Sequence, residues 1–453
     1  MFPVSRSAEI VGGRLRRGTD EVPRRVVHDS RLVQEGDLFV ALRGERTDGH
    51  CFLGEAFSRG ACGAIVSDVS SVPKTARNII VVNDSFLALK ALANAWRKEL
   101  PAVFVGVTGT CGKTTTKALL AHLLAEDRKV YASPESYNTE IGLSLALLAM
   151  PISAQVGVFE LGTSAPGEIA PLAALLSPRL AILTMVGRGH LAGFGSSEGI
   201  AAEKWELVRS LPPQGLAIIN ADSPAIAERA RVWEGDLISF GLKGGGVRGR
   251  IVDARHGLIL DVEEPPLHLV SSLLGRHHAS NLLAAAVGAL RLGVASETIE
   301  RRVATFSGLP HRLNLSFASF GYLLDDSYNA NPDSTKAALH TLAELDLPVD
   351  HRAFVFGDML ELGEDAPRFH REVLDLAVQL GISPIFPVGE LAVRVAREAA
   401  NELGSGILVF ATWEELPRRI RQAFRGNQGA LLVKGSRRLG LERLVETLKD
   451  TAS

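Results

Sequence analysis

Three cysteines in 453 residues, Cys51, Cys62 and Cys111, are too few and too scattered for a disulfide framework or a thiolate metal site, so a reducing compartment is expected. Long apolar runs are equally scarce. The longest, about Ile141 to Ile152, is too short to span a bilayer, and the first residues lack the apolar stretch of an export signal, so a soluble cytoplasmic protein without a membrane partner is expected. Charge of either sign shows no excess: the net value of −2 offers nothing to match a phosphate backbone, which argues against a nucleic-acid partner. Low-complexity tracts and internal repeats are also missing, and 46% hydrophobic with 22% charged residues is ordinary globular composition. The length exceeds what one core supports and suggests about three domains.

What is present is concentrated in Val103 to Thr116, VFVGVTGTCGKTTT. An apolar run of strand character leads into glycines, and leucines at helical spacing follow. Glycines let backbone N–H groups approach phosphate oxygens, and the start of the helix adds partial positive charge. Lys113 is placed for the β- and γ-phosphates and the Thr114 hydroxyl for Mg²⁺. The strict pattern asks for glycine where this chain has Val107, so the loop is a variant.

Around this centre the pattern divides into three. Residues 1–84 alternate short β-type runs with turns and one helical patch, a small α/β domain. In it DSRLVQEGDLFVALRGERTDGH places Arg31, Arg43, Asp48 and His50 beside strands, equally suited to a binding edge for an anionic ligand or to a solvated loop. Residues 85–306 alternate strands with helical lengths, as in a mainly parallel sheet with helices on both faces, whose ligands bind beyond the carboxyl ends of the strands. Glu160 interrupts an apolar strand near that edge and is a candidate metal ligand. His190 lies in a glycine-rich loop on the same side, whereas Lys204 reads as an ordinary surface lysine. Asn281 stands in the first turn of an alanine-rich helix after His277 and His278. Residues 307–453 form a second, Rossmann-like alternation, including an expected strand at Ile407 to Phe410. No dinucleotide fingerprint follows its first strand, and its polar clusters DDSYNANPDS, FGDMLELG and VKGSRR all follow strands.

In chain order, GVTGTCGKTTT, FELGTS, GHLAGFGS, the Asn281 helix, LPHRL and KGSR resemble the Mur ligase family of ATP-dependent peptidoglycan precursor ligases. The resemblance spans nearly the whole chain. DLFVALRGERTDGH, NTEIG, APGEIA, DDSYNANP and GDMLELG further resemble the branch that joins D-alanyl-D-alanine to UDP-N-acetylmuramoyl-tripeptide. The resemblance implies ATP on Gly109, Thr110, Cys111, Gly112, Lys113, Thr114 and Thr115, with Asn281 at the adenine and Arg312 and Asp326 approaching from the last domain. It implies one Mg²⁺ on Thr114 and Glu160, and a second on His190 and Lys204, the lysine carbamylated by CO₂. Lys113, Lys204 and His190 are the implied catalytic group. Substrate residues would be Ser30, Arg31, Arg43, Asp48 and His50 for the UDP part, and Asn138, Thr139, Tyr328, Asn329, Asn331, Lys434, Ser436 and Arg437 nearer the reaction. A monomer is expected. Departures from the family pattern are Cys111, Met185 and His278, where Asn or Ser is usual at the first and Asn at the others.

Two other readings stay open on sequence. A sister ligase adding one amino acid, or a folylpolyglutamate synthase, shares the chemistry, although DLFVALRGERTDGH speaks against the synthase. A nucleotide-switch regulator of the phosphate-loop class leaves Glu160, His190 and KGSR without a task.

Overall fold

In the computed structural model of the protein, residues 1–44, 47–187, 191–347, 351–404, 406–424 and 428–449 are described. Three sheets organise them. The first has five strands in the order Arg14–Arg16, Ile79–Val81, Gly63–Val66, Leu38–Val40, Val26–Val27, parallel except for its first pair. Its three inner strands are apolar on both faces, the pattern of a covered parallel sheet.

The second sheet has nine strands, and its order accounts for the site. Strand Val103–Thr108 lies between Leu180–Leu183 and Val156–Glu160, so the segments that follow these three strands emerge side by side at one edge. Beyond Leu237–Gly241 the sheet continues into Val247–Asp253, Leu258–Val262 and Leu267–Ser271. The last two pairings are antiparallel, an extension the helix-length spacing of the sequence did not announce. Helices Lys113–Leu124 and His278–Arg291 pack on one face. The alanines and Gly288 of the second allow close approach to Leu120 and Ile182, which carries Asn281 to the phosphate loop.

The third sheet runs Asn314–Ala318, Gly321–Asp326, Gly429–Lys434, His351–Gly357, Ile385–Val388, parallel apart from its first pair. The strand expected at Ile407 to Phe410 does not form. Leu408 makes a single bridge to Ile385 at the sheet's margin, where this half-exposed stretch has no second neighbour to extend a ladder.

The first two lobes share one continuous core. Val4, Ile65 and Ile80 belong to the same apolar cluster as Leu143, Phe104 and Phe159, whereas the third lobe has separate cores, one of them taking in Leu274 from the central lobe. Among the described residues no helix is long and apolar enough to cross a membrane.

In the first lobe, His50 is buried rather than offered to a ligand. Its Nε2 accepts from the backbone N–H of Ser67 at 3.0 Å and of Asp68 at 3.2 Å, which leaves the proton on Nδ1 to donate to Asp48 at 2.6 Å. Both ring nitrogens are thus taken up by groups of the lobe itself. His50→Ala strands two backbone donors and should lower stability by about 1–3 kcal/mol, read as a fall in the denaturant midpoint; an unchanged midpoint would contradict this account.

Candidate active site

Strand Val103–Thr108 ends in a turn that only glycine can make. Gly112 has φ +84°, and a Cβ there would overlap Asn281 Oδ1; at Gly109 a Cβ would overlap Thr184 Oγ1. Thr184 Oγ1 donates to the Cys111 carbonyl at 2.6 Å, and Thr110 N–H donates to Met185 O at 2.6 Å, so the neighbouring strand end props the loop open. Lys113 folds over it, its Nζ donating to Gly109 O at 2.9 Å and Thr110 O at 3.2 Å. Cys111 and Met185 prop the loop through their carbonyls.

Glu160 ends the adjacent strand and is buried. Its Oε2 accepts from Thr114 Oγ1 at 2.8 Å and its Oε1 from Asn138 Nδ2 at 3.0 Å. Burial pushes its carboxyl up, but the charges of Lys113 and Lys117 and these two hydrogen bonds outweigh burial and hold it below the usual carboxylate range. A buried carboxylate and a hydroxyl side by side are the hard oxygen donors that suit Mg²⁺, which is commonly held by one or two carboxylates and completed by phosphate and water. No cluster of three or more His, Cys, Asp or Glu side chains able to hold a metal occurs among the described residues.

Lys204, read from sequence as a surface lysine, is inside the protein at 2% exposure. Burial and the nearby charge of Lys113 lower its ammonium to about 7, against the opposing pull of Glu203. His190 lies outside the described residues.

The third lobe closes the site. Arg312 Nη2 donates to Thr114 Oγ1 at 3.0 Å, while its Nε is buried with no partner, a donor with capacity left for an anion. Its guanidinium lies 4.0 Å from the Tyr328 ring centre, and Tyr328 shares a hydrogen bond of 3.0 Å with Ser136 of the central lobe. Asn331 caps helix Pro332–Glu344 with its Oδ1 and donates from Nδ2 to Cys111 Sγ at 3.3 Å. Lys434 is buried and pairs with Asp326 at 2.6 Å. Burial pushes the Asp326 carboxyl up while Lys434 pulls it back. Ser436 Oγ accepts from Leu360 N–H at 2.9 Å, and Arg437 reaches Glu442 at 3.5 Å.

These groups surround one cavity of about 960 Å³. It is lined by Thr110 to Thr115, Asn138, Thr139, Glu160, Asn281, Arg312, Asp326, Tyr328, Asn329, Asn331, Lys434, Ser436 and Arg437. Thr139 also caps helix Glu140–Ala149 through Gly142 N–H. Ser30, Arg31, Arg43, Asp48 and His50 do not reach this cavity. Ser30 donates to Glu55 at 2.7 Å, and Arg31 and Arg43 are exposed beside Asp29 and Asp48. His277 and His278 stack at 4.3 Å along the cavity wall. His277 is exposed, whereas His278 is buried, and burial with the charges of His277 and Arg312 holds His278 well below the usual range. His278 Nδ1 meets Asn281 Nδ2 at 3.1 Å, so its proton is on Nε2. Two members of the site were not singled out in sequence. Glu168 accepts from Ser164 N–H at 2.7 Å and Ala165 N–H at 3.2 Å, shaping the cavity wall, and Arg438 adds a further cation. Each lay inside a quoted motif, Glu168 in APGEIA and Arg438 in VKGSRR, without being assigned a role of its own.

A glycine cradle with its lysine, a hydroxyl and carboxylate for a hard cation, and a cationic lobe facing them define a phosphate-loop enzyme of three lobes closing on one cavity. Family models match along the chain: the Mur ligase family catalytic domain at residues 24–97, the Mur ligase middle domain at 107–289 and the Mur ligase glutamate ligase domain at 311–437. The UDP-N-acetylmuramoyl-tripeptide--D-alanyl-D-alanine ligase of Bacillus subtilis is 31% identical over 457 residues, covering 99% of this chain and 98% of the relative. Among solved structures, MurF from Acinetobacter baumannii superposes with TM-score 0.87 at 31% identity, covering 99% of this chain and 98% of the other. MurF from Thermotoga maritima in complex with ADP gives 0.82 at 27%, covering 96% and 99%. The chain belongs to the Mur ligase family.

Gly112→Ala should weaken ADP binding about tenfold or more, because left-handed backbone forced on alanine costs about 1–3 kcal/mol and the Cβ displaces Asn281. Calorimetric titration measures this; wild-type affinity would refute the cradle geometry.

Proposed function

We propose that the protein joins D-alanyl-D-alanine to UDP-N-acetylmuramoyl-tripeptide in the cytoplasm, with cleavage of ATP to ADP and phosphate. The observation that carries this reading is the single cavity with the phosphate loop on one wall and the DDSYNANP and KGSR segments on the other, in a chain that aligns over its whole length with ligases named for that reaction.

Residues 1–84 serve as the domain for the UDP part, through Ser30, Arg31, Arg43 and Asp48. Residues 85–306 hold ATP, and residues 307–453 receive the dipeptide on Asn329, Asn331, Lys434, Ser436 and Arg437. Asn138, Thr139 and Tyr328 face the peptide acceptor. Lys113 and Arg312 meet the phosphates, Asn281 borders the adenine and Asp326 approaches the nucleotide. Thr114 and Glu160 would hold one Mg²⁺, and His190 with carbamylated Lys204 a second; bound there, the metals would neutralise phosphate charge.

The peptide carboxylate attacks the γ-phosphorus and ADP leaves, giving an acyl phosphate; the dipeptide amine then forms the amide and releases phosphate. Phosphoryl transfer chiefly requires positioning and charge neutralisation, which Lys113 and Arg312 contribute from opposite lobes. Enclosure by the third lobe protects the acyl phosphate from water.

Carbamylation of Lys204 joins its Nζ to the carbon of CO₂ and releases a proton, so it needs the free amine. With an ammonium lowered to about 7, the amine dominates above that pH and is lost below it. Bicarbonate-dependent activity should therefore fall as pH drops through about 7, and a ¹³C carbamate signal should fall with it. Lys204→Ala should lose most turnover and regain part with short carboxylates; full activity without them would exclude the role. Incubation with ATP, D-alanyl-D-alanine and UDP-N-acetylmuramoyl-tripeptide should yield a product heavier by one dipeptide less one water. Nucleotide hydrolysis indifferent to both substrates would overturn the assignment, and Lys113→Ala should abolish product while preserving the fold.

A further inference from the structure

Lys117 follows Thr114 by one helical turn, yet it is 3% exposed and does not line the cavity. Its Nζ donates to Ser133 O at 2.6 Å, to Pro134 O at 3.4 Å and to Ser133 Oγ at 3.5 Å. Ser133 Oγ in turn accepts from Glu160 N–H at 3.4 Å. These carbonyls open the loop between strand Val130–Ala132 and helix Glu140–Ala149. Further along the loop Ser136, at φ +64°, meets the Tyr328 hydroxyl, and Asn138 braces Glu160. Burying an ammonium is costly, and an apolar chain of equal length would pack the same space at less cost. The charge is kept where its donors hold loop carbonyls together.

We infer that Lys117 is a positioning residue that sets the loop at 133–139, linking the helix behind the nucleotide to the loop that faces both Glu160 and the third lobe. No substrate touches it; it acts through Ser133, Ser136 and Asn138. The inference rests on the proposed ligase reading only in that the peptide acceptor is taken to lie against this loop.

Lys117→Met keeps length and loses the donors. ADP binding by calorimetry without Mg²⁺, where Glu160 has no cation to hold, should be unchanged, while kcat falls and KM for the UDP-peptide rises, together lowering kcat/KM about tenfold to a hundredfold, the range seen for supporting contacts behind a site. Lys117→Arg, which keeps donors, should restore part of it. Ser136→Ala, an exposed change that spares the buried charge, should raise the same KM with ADP binding intact, and decides the matter should Lys117→Met not fold. Unaltered KM and kcat in folded variants, or ADP and peptide binding lost in equal proportion, would overturn the inference. If the parent enzyme makes no product, the ligase reading fails separately. Proteolysis then tests Lys117: cleavage within 133–139 should quicken in Lys117→Met, and equal rates would sink the proposal.

Discussion

A carboxylate out of water favours its neutral form unless charge and hydrogen bonds hold it ionised, and the centre of this molecule is built to hold Glu160 so. Thr114 from the phosphate loop, Asn138 from the following loop, and the charges of Lys113 and Lys117 converge on it from separate elements. Remove that carboxylate and the two ammonium groups of Lys113 and Lys117 lose the charge that both of them face. Place a cation and a polyphosphate there, and Glu160 meets the cation while Lys113 meets the phosphates. The electrostatics of the site are those of one shaped for that ligand.

The third lobe answers this arrangement from across the cavity. Arg312 touches Thr114, Asn331 touches Cys111 and Tyr328 touches Ser136, so three short polar contacts register the lobe against the nucleotide side. None of them is apolar; the third lobe has one core wholly its own and another that takes in Leu274 from the central lobe, while the first two lobes share one. An interface of this kind can part with little core exposed, as a site that must admit two substrates and release products requires.

Much of this was legible in the chain. The strand, glycine turn and Lys113-Thr114 order identified the phosphate cradle because local sterics demand glycine there. Glu160 stood out because a charge inside an apolar strand is costly. The DDSYNANP and KGSR clusters were found because parallel sheets present ligand groups after their strands, and that rule needs only the order of elements.

What escaped the sequence is what depends on distant neighbours. Lys204 read as an ordinary lysine and Lys117 carried no sequence signal, since burial is conferred by packing against segments far along the chain. His50 looked like a ligand-edge residue because its backbone donors, Ser67 N–H and Asp68 N–H, are supplied by a strand end that sequence cannot place beside it. The antiparallel extension at 247–271 and the missing strand at Ile407 to Phe410 turned on which edges found partners. The chain by itself determined the element order and the chemistry at each strand end, because these follow from local backbone and side-chain preferences. Only the tertiary structure decided which charges lose their water and which lobes meet, because desolvation and contact are properties of neighbours in space.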